Sequence, residues 1–130
     1  MNDLEKQQAS WIKSAKSDLD TAALLINEAR LIEGLFFCLL SIEKGLKAHV
    51  IKHTTQSPAD CSDLMELLYM AHIHVGEKDK ELLGILMSYQ TELRYPEHDE
   101  VLDITFPTAN QAFDYLDRTR ELLKWLEKTL

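Results

Sequence analysis

Residues 34 to 53, GLFFCLLSIEKGLKAHVIKH, constrain this chain more than any other stretch, because they read as one long helix that is apolar almost all the way round. At about 100° per residue, Phe36, Leu39, Leu40, Leu46 and Val50 fall on one stripe, and Leu35, Phe37, Ile42 and Ile51 fill its flanks. A surface helix needs a wet side and this one has none, so it belongs in the middle of a bundle with the other segments wrapped around it. Glu43 lies near the centre of the apolar stripe, with Lys47 at i+4 in the order that favours a carboxylate and ammonium pair. A carboxylate so placed needs a partner, and Arg94 is a candidate to reach it if the fourth helix runs antiparallel to the second. On the opposite face Gly34, Cys38, Ser41 and Gly45 are small and invite a second helix to approach closely. The expected occupant is another helix of the same chain, with a dimer interface as the competing reading.

The rest of the chain supplies that wrapping. Residues 4 to 30 carry apolar positions at Trp11, Ile12, Ala15, Leu19, Ala22, Ala23 and Ile26, one amphipathic face of a first long helix; Lys13, Lys16, Asp18 and Asp20 read as its solvated side. Leu31, Ile32 and Glu33 form a short linker, so helices one and two should make an antiparallel hairpin. Ser57, Pro58 and Asp60 mark a turn. Ser62 or Asp63 then caps a short helix with a stripe of Leu64, Leu67, Leu68 and Ala71, ended by Gly76. Residues 77 to 93 form a fourth helix facing inward through Leu82, Leu83, Leu86, Tyr89 and Leu93, stopped by Pro96. Thr108 with Gln111 makes a capping-box start for a fifth, whose inner face is Ala109, Ala112, Phe113, Leu116, Leu123 and Leu126. The aromatic residues Trp11, Phe36, Phe37 and Phe113 read as core.

With 130 residues, 4 Gly, 3 Pro and no run of alternating β-branched residues, the class is all-α. One domain spanning 1–130 is expected, an up-and-down bundle of four long helices and one short one. A net charge of −8 disfavours a surface devoted to phosphate neutralisation, while leaving room for a local basic patch. Cys38 and Cys61 read as reduced thiols, and no signal region or membrane span is evident, which predicts a cytoplasmic protein. His72 and His74, at i and i+2, would point apart on a helix and do not suggest a metal site.

Trp11, Ala15, Asp18 and Leu19, the run Glu43, Lys44, Gly45, Leu46, Lys47, Ala48, and Arg94, Tyr95, Pro96 before the last helix together resemble the HEPN family, the higher eukaryote and prokaryote nucleotide-binding helical domains, particularly small stand-alone prokaryotic members. The resemblance implies a helical bundle, often a homodimer, acting beside a small nucleotidyltransferase or as a metal-independent ribonuclease in toxin, antitoxin and phage-defence systems. It directs attention to Glu43, Lys44, Lys47, Arg94 and Tyr95 as a nucleotide- or partner-binding face, with Tyr95 and Arg94 suited to hold a base and a phosphate. No cofactor is implied.

The ribonuclease members carry an arginine followed, after four to six residues, by a histidine. None of Arg30, Arg94, Arg118 or Arg120 has a histidine at that spacing. Arg94 and His98 are the nearest approximation, separated by three residues that include Pro96, with no histidine followed two residues on by tyrosine. The expectation is therefore a binding or regulatory module, with a divergent ribonuclease or a purely structural helical dimer as alternatives.

Overall fold

The computed structural model describes residues 2–53, 61–94 and 106–130, with the backbone alone at 91–94. Expectations placed on Ser57, Pro58, Asp60, Tyr95, Pro96 and His98, and on the side chains of Leu93 and Arg94, lie outside the described residues. Five helices occupy the described ones: α1 (Asp3–Asn27), α2 (Leu31–Val50), α3 (Leu64–Met70), α4 (Glu77–Arg94) and α5 (Ala109–Lys128).

The apolar stretch is the centre of the bundle. No residue of α2 is exposed, and α1, α3, α4 and α5 all pack against it. Gln8 meets Ala48, Trp11 meets Lys47, Ser14 meets Lys44, and Ile26 lies beside Gly34. Numbers that rise on α1 as they fall on α2 define the predicted antiparallel hairpin. Along α5 the order is the reverse: Cys38 pairs with Thr119, Gly45 lies between Leu123 and Leu126, and His49 reaches Leu126, so α2 and α5 run parallel. The small face is thus filled from within the chain, by α1 at Gly34 and α5 at Gly45.

Several boundaries differ from the sequence reading for local reasons. α1 stops at Asn27, three residues early, because Ala29 adopts a left-handed φ of 64°. The Ala29 N–H donates to Ile26 O at 3.0 Å and the Arg30 N–H to Leu25 O at 2.8 Å, the two reverse bonds that close a helix C-terminus. Leu31, Ile32 and Glu33, expected as linker, are the first turn of α2. α3 ends in the same manner at Met70, with His72 at φ 58° in the position expected of Gly76. These terminations use residues other than glycine, so the sequence gives them no marker. The caps it does mark are present: the Asp63 side chain accepts from the Met65 N–H at 2.9 Å, and Thr108 and Gln111 form the reciprocal box.

The core is mainly aliphatic, with Tyr89 of α4 buried in it as expected. The largest fully buried side chains are Leu, Ile and Val, among them Ile26, Leu35, Leu39, Ile42, Leu46, Leu64 and Leu126. The other aromatic residues expected inside are at the rim: Trp11, Phe36 and Phe37 are partly buried, and Phe113 is exposed. On α5 the buried stripe is Ala112, Leu116, Thr119, Leu122, Leu123 and Leu126, and Phe113 and Ala109 turn outward. Phe113 follows Ala112 by a single residue, about 100° around the helix from that stripe. No helix among the described residues is long and apolar enough to cross a membrane.

Candidate functional site

Three of the residues singled out on α2, Glu43, Lys44 and Lys47, come together on its seam with α1. Lys47 donates to Glu43 Oε2 at 3.2 Å, and both are deeply buried, their side chains 5% and 8% exposed. The Lys47 ammonium also lies 5.4 Å from the centre of the Trp11 ring, within range of a cation–π attraction. Lys44, one turn away, lies 2.7 Å from Asp18 Oδ2 and donates to Ser14 Oγ at 2.8 Å. The side of α1 expected to be wholly solvated therefore contributes Asp18, 14% exposed, to a second ion pair. Trp11, Ser14 and Asp18 recur at three- and four-residue spacing, and that coincidence of a ring, a hydroxyl and a carboxylate on one face was the available signal.

Among the described residues the seam is charge-balanced, two carboxylates against two ammoniums, with no surplus cation for a free phosphate. Two buried carboxylate oxygens of the seam, Asp18 Oδ2 and Glu43 Oε1, accept no hydrogen bond among the described residues, and of these Asp18 Oδ2 already faces the Lys44 ammonium at 2.7 Å. A buried carboxylate oxygen without a donor is costly, so Glu43 Oε1 is poised for a donor group. Arg94 is the last residue of α4, and α4 packs on α2.

Two further polar residues of α2 serve the junction with α5. His49, absent from the sequence reading, is buried, and its Nε2 donates to Leu126 O at 2.7 Å. Desolvation is the main cause that lowers its pKa, opposed by that hydrogen bond, so the ring is held neutral. Cys38 contacts Thr119, and burial pushes its thiol pKa up to about 11, which makes it an inert core group. The rings of His72 and His74 part company: His72 stacks on His53 with centroids 4.3 Å apart, while His74 lines a cavity between α4 and α5.

No curated protein and no solved structure matches the chain. The family model described as HEPN domain matches residues 8–129, a span that contains every residue of the seam and nearly all of the bundle. The chain belongs to the HEPN domain family.

Proposed function

We propose that this HEPN domain is a binding or regulatory module that works beside a small nucleotidyltransferase, in a pair of the toxin–antitoxin or defence type, and is not an enzyme by itself. The face assigned to that role is Glu43, Lys44, Lys47, Arg94 and Tyr95, with Trp11, Ser14 and Asp18 holding the first three in place. The observation that carries the reading is Glu43 Oε1, buried beside Lys47 and without a hydrogen bond among the described residues. A buried ion pair is weak support for stability, since an apolar pair of similar volume is commonly as stable, and its cost is better accounted for by a recognition task. Charge balance in the seam favours contact with a donor-bearing protein group over capture of a free nucleotide. One domain over residues 1–130, a homodimer and a cytoplasmic location belong to the same reading.

The test is purification of the tagged chain from its native cell, with mass spectrometry of whatever elutes in stoichiometric amount. A small nucleotidyltransferase is expected in the eluate, and it should be lost from Glu43→Gln and Arg94→Ala variants that keep their helical circular dichroism. Recovery of a homo-oligomer alone, with RNA cleavage abolished by His98→Ala, would replace this reading with the ribonuclease one.

A further inference from the structure

The cavity lined by His74 lies between the start of α4 and the second half of α5 and measures about 490 Å³. Small-molecule sites span about 300–1,000 Å³, are walled mostly by apolar side chains, and in bundles form between helices. Here Val75, Leu122 and Trp125 supply the apolar wall. Leu122 is a buried core residue and Val75 packs against the core, so both are held in place. Trp125 is instead 41% exposed, a large ring left in part to water. Covering such a ring with another apolar face is favourable, and aromatic rings add a stacking preference.

The polar rim decides what kind of molecule fits. The Arg118 guanidinium donates to the Lys78 carbonyl at 2.8 Å and lies 3.7 Å from Asp114, which also ties α5 to the first turn of α4. Asp117 accepts from Arg120 at 2.9 Å, and Glu121 lies 3.6 Å from Lys124. Lys78 and Asp79, the remaining charged residues of the rim, are neighbours of opposite sign. A charged occupant would lose hydration here and meet no unmatched countercharge, which is costly. An uncharged ring gives up little water and covers Trp125, Val75 and Leu122 together.

We infer that this cavity is a binding site for a small uncharged molecule carrying an aromatic ring, which lies against Trp125, Val75 and Leu122. None of these residues belongs to the α1–α2 seam, so the site stands or falls independently of the function proposed above.

The probe is indole, titrated into the full chain and followed by the amide and indole N–H resonances in heteronuclear NMR. Three further molecules separate the contributions: tryptamine adds a cation to the same ring, indole-3-acetate adds an anion, and cyclohexanol is uncharged but not aromatic. Indole should shift the Trp125 indole N–H and the Val75 and Leu122 amides along one saturable curve, while the Trp11 indole N–H in the seam stays in place. A Kd on the order of 1 mM is expected of so few non-hydrogen atoms. Each of the other three molecules should bind at least about fivefold more weakly, and Trp125→Ala should weaken indole several-fold at the Val75 and Leu122 amides, as loss of an aromatic anchor does. Shifts that fail to saturate or that appear equally at Trp11, equal binding of a charged analogue or of cyclohexanol, or undiminished binding by the Trp125→Ala protein would overturn the inference.

Discussion

His49 shows at the residue scale how burial turns an ordinary side chain into a pH sensor of the fold. Its pKa in the folded chain lies below the usual 6.5 because desolvation outweighs the bond to Leu126 O. Above about pH 6.5 both folded and unfolded chains hold it neutral, and its bond to α5 is fully retained. As pH falls below that value the unfolded chain takes up a proton that the folded chain refuses, so stability declines until the folded pKa is reached. Thermal unfolding followed from pH 7.5 to pH 5 should show this loss, and His49→Gln, which keeps a donor but does not titrate, should flatten that part of the profile. An unchanged profile in the variant would assign the slope to other groups. Ala29 offers a second residue-scale test. An L-residue at φ 64° is disfavoured, so Ala29→Gly should raise stability by about 1 kcal/mol, read from urea denaturation.

At the scale of elements, three helical glycines serve as gauges of how closely α2 and α4 are approached. A Cβ built on Gly34 would lie 2.5 Å from Ile26 Cγ1 and 3.1 Å from the backbone Ala22 O, so α1 itself stands in the way. On Gly45 the nearest atoms, at 3.0 and 3.1 Å, are the Leu123 and Leu126 Cδ1 methyls, ends of side chains that can give way. On Gly84 in α4 a Cβ meets nothing within 4 Å. Replacement by alanine should therefore order itself: Gly84→Ala stabilises by up to about 1 kcal/mol through helix propensity. Gly45→Ala is near neutral, and Gly34→Ala destabilises by about 1–3 kcal/mol through overpacking. Chemical denaturation of the three variants checks the order, and a Gly34→Ala protein as stable as Gly84→Ala would mean that the α1–α2 spacing is looser than described. Because α5 fills the Gly45 face, Gly45→Leu should lower the unfolding midpoint of the chain and leave its oligomeric state unaltered in light scattering.

For the whole molecule the question is whether the buried seam serves stability or recognition. Removing one member of a buried pair strands its partner, and Lys47→Met alone should cost about 3–5 kcal/mol. The double change Glu43→Leu with Lys47→Met removes both charges and should restore or exceed the original stability. If recognition is its task, the restored protein will fold well and fail to retain its partner on the affinity column. Retention by that double variant would show that the seam only holds the bundle together.

What could be read from the sequence is whatever local periodicity and local chemistry dictate: the all-α class, α2 at the centre, the Leu64, Leu67, Leu68, Ala71 stripe of α3, the caps at Asp63 and Thr108, and the Glu43–Lys47 pair at i+4. Each depends on residues within a few positions of one another, so their spacing carries the information. The left-handed ends at Ala29 and His72, the outward turn of Phe113, the partnership of Asp18 with Lys44 and the bond from His49 to Leu126 were decided elsewhere. Asp18 and Lys44 are 26 positions apart and His49 and Leu126 are 77 apart. Whether such groups meet depends on how α1 and α5 are rotated against α2, and that rotation is set by packing of Ile26 on Gly34 and of Leu123 and Leu126 on Gly45. Helical spacing assigns a residue to a face of its own helix, and only the packed bundle determines which face it meets.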